Sequence, residues 1–243
     1  MCGRYTITRQ EGLIEDLEAA LDGNVERNQW WKPRFNVAPT QDAPVVVLKE
    51  GTRIVEMMRW GLVPFWAAKN NVRASSAPLM INARVEGIEK KPSFRDALER
   101  KRCLVPADGF FEWLKTGTGK KQTKTPMYIH PRARHFFAFA GLWARAKYPD
   151  GELHSFTIIT GPPNELVAPI HDRMPVILAR DAWDRWLEPA LDRAHAMALL
   201  AVPSDEGWQA EAVSKLVNSA ANDAPELIEP VAAEPPASQG SLF

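Results

Sequence analysis

Short runs of β-forming residues, separated by turns and prolines, constrain the fold of this 243-residue chain more than any other feature. Strands are predicted at residues 44–48, 53–58, 127–130, 135–140, 153–160 and 175–179. Because these runs do not alternate strictly with helical segments, a parallel α/β fold is disfavoured. The 20 prolines, many inside or beside the runs, favour bulges and strong curvature. The sequence therefore predicts an α+β fold, with a curved, antiparallel, barrel-like β-sheet and flanking helices.

Four segments have the apolar spacing of amphipathic helices. The first begins at a capping box, in which Thr8 is followed three residues later by Glu11, and its apolar positions continue to Leu21. The other three are predicted at residues 93–102, 180–187 and 190–199. In the second helix, Asp96 occupies the box position.

The chain is expected to form one domain. Its hydrophobic content of 45% can supply one sizeable core. From Pro230 the composition shifts to Pro, Ala, Glu and Ser, so we predict a domain of residues 2–229 and a disordered tail of residues 230–243. No apolar run reaches the length of a membrane span, and charged residues interrupt the N-terminal segment. Neither a membrane anchor nor a secretory signal is therefore expected.

The distribution of charge and the number of cysteines indicate which partners the protein can bind and in which compartment it resides. The 30 basic and 30 acidic residues cancel, but residues 69–134 contain 15 basic and 6 acidic residues, which can bind phosphates. The lysines at 120, 121 and 124 are equally compatible with solvated loops. Two cysteines without metal-ligand spacing predict no metal, no disulfide scaffold and a reducing, cytoplasmic location. Cys103 is interpreted as a small buried apolar residue.

Cys2 follows the initiator methionine, which is usually removed before so small a side chain. Removal would place an α-amine and a thiol on one residue. An α-amine with a pKa near 7.8 is about one-third unprotonated close to neutrality, whereas lysine, near 10.4, is almost fully charged. Such a cysteine can trap an aldehyde as an imine, and its thiol can then close a thiazolidine ring. Alternatively, Cys2 is merely the second residue of the chain.

Glu112 stands among aromatic residues, with two phenylalanines before it and a tryptophan after it. Such surroundings disfavour the carboxylate and raise its pKa, which suits proton transfer near neutrality. An outward-facing strand position is the alternative interpretation.

Two further motifs combine an arginine with a second polar group. In an extended segment, Asn82 and Arg84 share a face with Glu86, and a guanidinium presents a fork of donors to phosphate. Pro175 favours an extended backbone before it, which would point His171 and the arginine two residues later in the same direction. Histidine exchanges protons near neutral pH. A polar strand face and a structural histidine remain alternatives.

Two tryptophans lie close together in the sequence. Trp60 is predicted to be a core residue. Trp66, followed by alanines and a lysine, is equally compatible with the core and with an exposed platform on which a nucleobase stacks.

Six stretches, in this order, resemble the SOS response-associated peptidase (SRAP) family, also called abasic site processing proteins. They are residues 1–5, 35–40, 60–64, 81–86, 108–113 and 170–178. The similarity runs from residue 2 to about residue 230 and ends with the Val-Ser and Val-Asn pairs at 213–214 and 217–218. One departure is Phe111, where the family commonly has tyrosine.

The resemblance implies a protein that shields abasic sites in single-stranded DNA. The opened sugar exposes an aldehyde, which the N-terminal cysteine caps as a thiazolidine cross-link. By this resemblance Cys2 is the nucleophile, Asn82 positions the amine and sugar, Glu112 transfers protons, and His171 is the acid that opens the sugar ring. DNA contacts are implied for Arg4, Pro39, Trp66, Arg84 and Arg173.

Other expectations follow from the same resemblance. The peptidase name is interpreted as removal of residue 1, and β-elimination of the imine would give a weak lyase activity. The implied partner is abasic single-stranded DNA, without a metal or cofactor, and we expect a monomer that associates with the nucleoid during DNA damage.

Two other classes of protein remain open. Some glutamine amidotransferases also begin Met-Cys-Gly and use an N-terminal cysteine as an amidohydrolase nucleophile, but the expected early Arg/His-Gly and Asn-Gly elements are missing here. The second alternative is a non-catalytic reader of single-stranded DNA in which Cys2 has no role.

Overall fold

The computed structural model describes residues 2–9, 17–21, 32–64, 66–67, 79–133, 135–148 and 151–231. The strands are β1 (Tyr5–Ile7), β2 (Ala20–Leu21), β3 (Arg34–Val37), β4 (Asp42–Lys49), β5 (Thr52–Trp60), β6 (Asn82–Arg84), β7 (Arg102–Ala107), β8 (Gly109–Thr116), β9 (Thr123–Pro131), β10 (Phe137–Tyr148), β11 (Gly151–Gly161), β12 (Met174–Pro175), β13 (Ile177–Leu178) and β14 (Trp208–Ala212). The described α-helices are α1 (Arg95–Arg100), α2 (Trp183–Leu187) and α3 (Arg193–Ala198). Short 3-10 helices span Gly119–Lys121, Arg180–Ala182, Lys215–Asn218 and Pro225–Ile228.

Five strands close into a barrel. Antiparallel pairing joins them in the order β5, β4, β7, β10 and β11, and β11 pairs again with β5. This last pair is parallel, with Ser155 opposite Arg59. The barrel-like, mainly antiparallel sheet is therefore confirmed. The parallel closing pair differs from the prediction because β5 and β11 are distant in sequence and can approach in either direction.

A second sheet contains β14, β9, β8, β1 and β3 in that order, all antiparallel. Tyr5 lies opposite Phe110, so the residues before Tyr5 run alongside those that follow Phe110. The backbone N–H of Phe111 donates to the carbonyl of Arg4 at 3.0 Å. This register carries the N-terminus towards Glu112.

Aromatic side chains fill the core between β1 and the barrel. The Tyr5 ring centroid lies 5.2 Å from that of Trp60 and 5.9 Å from that of Phe139, both in edge arrangements. Trp60 and Cys103 are fully buried, as predicted. β1 is thus held by the main core on one side and by β8 on the other.

The six predicted strand segments all fall mainly within β4, β5 and β9–β13, most of which extend further than predicted. β1, β3, β7, β8 and β14 were missed as strands, although β7 pairs with both β4 and β10 in the barrel. Its residues are buried on both faces. A strand in that position lacks the alternation of apolar and polar residues by which sequence patterns identify strands.

Three helix predictions need correction at their ends. Ala20–Leu21 form β2 beside β5 rather than the end of a helix, and residues 10–16 of that predicted helix lie outside the described residues. The second helix spans only Arg95–Arg100, and no side chain caps its start, so the capping role of Asp96 was wrong. Arg102 belongs to β7, where it pairs with Leu142 of β10, so the chain at this position is a strand rather than the end of a helix.

The last predicted helix is shorter than expected. It begins after Asp192, whose side chain accepts a hydrogen bond from the backbone N–H of His195.

The segment at 180–187 is helical as predicted, first as a 3-10 turn and then as α2. Of the predicted tail, residues 232–243 lie outside the described residues. Within the described ranges, no helix has the length and apolar character needed to cross a membrane.

Candidate functional site: the cleft beside the N-terminal cysteine

Cys2 lies at the start of the second sheet, next to β8. It is fully buried, and its thiol donates to the carbonyl of Arg4 across 3.8 Å. Burial raises the pKa of the Cys2 thiol far above its ordinary value, and the nearby charge of Glu112 raises it further. The sulfur is therefore held as a neutral thiol at physiological pH.

Glu112 occupies β8 and is 2% exposed. Burial raises the pKa of its carboxyl to about 7, and the charge of Asp172 acts in the same direction. Phe110 and Phe111, which precede it, are fully buried. The predicted rise in pKa is confirmed, so this carboxyl exchanges a proton near neutrality.

His171 lies in the loop before β12 and faces Glu112. Its Nε2 atom is 4.0 Å from Glu112 Oε2. Its Nδ1 atom accepts from the backbone N–H of Arg173 at 3.0 Å, and Asp172 Oδ1 lies at the same distance from that nitrogen. An Nδ1 atom that accepts from the Arg173 N–H must carry no proton, which corresponds to the neutral ring with its proton on Nε2. The nearby Asp172 carboxylate instead favours the protonated, positively charged ring. Burial lowers the pKa of His171, which favours the neutral form.

An open cleft of about 420 Å³ gives access to these groups. It is lined by Glu112, Trp113, Lys115, Lys124, His171 and Asn218. A buried carboxyl and an imidazole at the base of such a cleft can move protons to and from a bound molecule.

Asn82 and Arg84 lie on β6, which pairs in parallel with β11. Ala83 between them is buried and Arg84 is exposed, which matches the predicted strand alternation. The Asn82 amide nitrogen donates to the carbonyl of Ile81 at 3.0 Å, and its buried Oδ1 atom has no hydrogen-bond partner in the described part of the chain. That carbonyl also accepts from the indole of Trp60 at 2.9 Å.

Arg173 approaches the same strand end through an ion pair. Its guanidinium binds both carboxylate oxygens of Glu86, at 2.7 and 2.6 Å, and donates to the carbonyl of Thr160 at 3.1 Å. Glu86 lies in the turn after β6, where strand alternation has ended, so it does not extend the face of Asn82 and Arg84. Its carboxylate binds Arg173 instead. The phosphate contacts of Arg84 and Arg173 stay predictions.

Arg4 is held by the side chain of Asn36 and by two backbone carbonyls. Its Nη1 atom donates to Asn36 Oδ1 at 3.2 Å and to the carbonyl of Val217 at 2.6 Å, and its Nη2 atom donates to the carbonyl of Asn218 at 3.3 Å. Asn36 in turn donates to the carbonyls of Val217, Ser219 and Asn222. These bonds fix the segment that brings Asn218 to the cleft, and a phosphate contact of Arg4 stays a prediction.

The structure does not bring Trp66 and Pro39 into the lining of the cleft. Trp66 is half-buried and packs on a small apolar cluster with Val63, Ala67 and Ala146. Pro39 is half-buried in the turn after β3. Their predicted DNA contacts stay predictions.

Sequence reasoning gave no site role to four residues that line the cleft, namely Trp113, Lys115, Lys124 and Asn218. A predicted hairpin of β8 and β9 would have placed Lys115 opposite Lys124. The hairpin was not predicted because β8 was not recognised as a strand. The Val-Asn pair at 217–218 belongs to the family resemblance, but the contact with Arg4 that holds Asn218 at the cleft joins residues 214 apart in sequence, which a local pattern does not show.

Residues 1–220 match the sequence model of the family described as SOS response associated peptidase (SRAP). The chain belongs to the SRAP family. It is 40% identical over 232 residues to the abasic site processing protein YoqW of Bacillus subtilis, covering 94% of this chain and 99% of that protein. It is 30% identical over 239 residues to the abasic site processing protein YedK of Escherichia coli, covering 95% and 100%.

A solved structure shows the same SRAP architecture. A protein from Bacteroides thetaiotaomicron superposes with a TM-score of 0.82 at 26% identity, covering 95% of this chain and 100% of that one. The similarity therefore extends across the barrel, the second sheet and the cleft.

Proposed function

We propose that this protein processes abasic sites in single-stranded DNA, and that Cys2 caps the exposed aldehyde as a thiazolidine DNA–protein cross-link. Relatives that match nearly the whole chain carry the name abasic site processing protein. The observation that carries the proposal is the placement of Cys2 beside Glu112 and His171, next to an open cleft.

The proposed chemistry begins after Met1 has been removed. His171 donates a proton to the ring oxygen of the abasic sugar while the Glu112 carboxylate takes the proton of the C1 hydroxyl, so that the ring C–O bond breaks and the aldehyde forms. Glu112 then returns its proton to His171, which lies 4.0 Å away. The α-amine of Cys2 attacks the aldehyde carbon, a C–N bond forms, and the carbonyl oxygen leaves as water. Glu112 relays both amine protons to that oxygen in turn, the first after the C–N bond has formed and the second as the C–O bond breaks. The thiol then adds across the imine, so that a C–S bond forms and the thiol proton passes to nitrogen.

The burial of Cys2 favours this order of steps over the amidohydrolase alternative. A cysteine that attacks an amide reacts as the thiolate, which a lowered pKa favours. Here burial and Glu112 raise the pKa of the thiol. A neutral thiol suits a second step in which it adds to an imine formed by the amine.

The remaining roles belong to the same proposal. Asn82 presents a buried amide oxygen that can accept from the sugar or the amine. Arg4, Arg84 and Arg173 hold phosphates that flank the lesion, with Pro39 and Trp66 along the DNA path. Self-removal of Met1 and slow strand cleavage by β-elimination are side activities of the same site.

Intact mass spectrometry after mixing the protein with an abasic single-stranded oligonucleotide tests the proposal. We expect one species that has lost Met1 and gained the oligonucleotide minus one water. Cys2→Ala should abolish this adduct, whereas Cys2→Ser should leave an imine that borohydride traps.

Controls separate the competing functions. An oligonucleotide without an abasic site should give no adduct, and ammonia release from glutamine should be absent. Protein that retains Met1 and still forms the permanent adduct would overturn the role of the Cys2 amine.

A further inference from the structure

Two lysines face each other across the hairpin that forms one wall of the cleft. Lys115 on β8 and Lys124 on β9 are direct cross-strand partners. Like charges in this position destabilise a sheet, because their Cβ atoms lie only about 4.5–5.5 Å apart. Both side chains are exposed, and no carboxylate in the described ranges lies within ion-pair distance of either ammonium group. The pair is therefore a local concentration of uncompensated positive charge.

The lysine pair is close enough to the candidate catalytic groups to act on them. Both lysines line the same cleft as Glu112 and His171. Burial is the main cause that lowers the pKa of His171, and the charge of Lys115 lowers it further. A polyanion held by the lysines would therefore lie directly beside the reacting groups.

Asn218 completes the rim of the cleft with a neutral donor. Its Oδ1 atom accepts from the indole N–H of Trp113 at 2.8 Å, which fixes the amide with its NH₂ group directed away from the ring. The backbone carbonyl of Asn218 is held by Arg4. An oriented amide donor beside two lysines is suited to phosphate oxygens.

We infer that Lys115, Lys124 and Asn218 form a phosphate-binding subsite that holds the DNA backbone where one arm of the strand leaves the cleft. The inference rests on the proposed function for the identity of the anion. The ammonium groups bind phosphates without reading sequence, and the Asn218 amide orients the strand relative to His171.

Reversible binding of a labelled, intact single-stranded oligonucleotide at several salt concentrations tests this subsite. Each phosphate contact on a single strand contributes about 0.7 to the slope of log affinity against log salt. Lys115→Gln/Lys124→Gln should reduce that slope by about 1.4 and weaken binding roughly 10-fold near 0.1 M salt. Asn218→Asp keeps the acceptor for Trp113 but replaces the donor with a negative charge, so it should also weaken binding.

A matched control removes the same charge elsewhere. Lys147→Gln/Arg185→Gln changes two exposed basic residues that lie outside the basic segment of residues 69–134 and do not line the cleft, and it should leave affinity and slope close to those of the unmodified protein. Equal effects of the two double variants, or no effect of either, would overturn the subsite. Adduct formation by the unmodified protein on abasic DNA reports separately on the proposed function, so the two ideas can fail independently.

Discussion

The burial of Glu112 disfavours ionisation of its carboxyl and at the same time moves its pKa towards neutrality. A carboxyl that is 2% exposed would ordinarily be avoided in a protein interior, because ionisation there is penalised. The same penalty brings the pKa of Glu112 to about 7, where a carboxyl can both accept and return a proton. His171 lies 4.0 Å away, so its imidazole faces the same small volume as the Glu112 carboxyl.

Glu112→Gln should slow cross-linking by about 100- to 10,000-fold, the usual contribution of a positioned acid or base. In the unmodified protein the rate should rise with pH through about 7 as the carboxylate forms. In the Glu112→Gln variant, the rate should not show this rise with pH. Single-turnover rates between pH 5.5 and 8.5 measure both effects, and an unchanged profile would remove Glu112 from the proton transfers.

Stability provides a control for the same variant. Because the folded-state pKa of Glu112 lies above the ordinary value of 4.5, the folded state binds the proton more tightly than the unfolded state. Its contribution to stability therefore falls as pH rises from 4.5 through about 7. At pH 8 Glu112→Gln should be at least as stable as the unmodified protein, so slow cross-linking there cannot be attributed to unfolding.

At the scale of elements, the contact between β1 and β8 positions the site. Thr6 on β1 donates to the Asp108 carboxylate at 2.5 Å and lies 3.0 Å from the hydroxyl of Tyr128 on β9. Gly109, the first residue of β8, lies against the Tyr128 ring. A Cβ atom at position 109 would be 2.3 Å from that ring and from its hydroxyl.

Gly109→Ala should therefore destabilise the protein by about 1–3 kcal/mol through overpacking, because Tyr128 is buried and cannot move away. Gly161→Ala is a suitable control, since its Cβ would meet only ordinary contacts at 3.5 and 3.7 Å. Urea unfolding at constant pH compares the two. Equal stability of the variants would contradict the packing of β8 against β9.

At the scale of the whole molecule, a polar cluster spans the seam that closes the barrel. Glu56 on β5 is buried, and its carboxylate binds Lys49 at 2.5 Å and His154 on β11 at 3.1 Å. Burial alone would raise the pKa of Glu56, but the hydrogen bonds from His154 and Lys49 hold it below its ordinary value. The hydrogen bond to Glu56 raises the pKa of His154.

The signs of these shifts predict a pH dependence of stability. The contribution of His154 is fully present below its ordinary pKa of 6.5 and is lost as pH rises through its folded-state pKa. The contribution of Glu56 is present above 4.5 and is lost as pH falls through its folded-state pKa. The seam is therefore strongest between about pH 4.5 and 6.5.

His154→Gln should lose more stability at pH 6 than at pH 8. His135→Gln, a change at an exposed position between β9 and β10, serves as the matched control. Thermal unfolding across this range tests the expectation. A loss after His154→Gln that does not vary with pH would show that the ring stabilises the seam by packing alone.

Some features of this protein follow from the sequence alone. β-propensity located most of β4, β5 and β9–β13, because strand formation at these positions agrees with local preference. The aromatic neighbours of Glu112 predicted its raised pKa, since residues adjacent in sequence remain close in space. Six ordered motifs, beginning at the N-terminus, resemble the SRAP family. The family model that matches residues 1–220 confirms this prediction.

Only the tertiary structure decided which distant residues meet. The parallel pairing of β5 with β11 and the binding of the Val217 and Asn218 carbonyls by Arg4 depend on long-range contacts. A local pattern records the preference of each segment but not its partner. The partner is selected by the free energy of the assembled barrel, in which burial and backbone pairing are satisfied together.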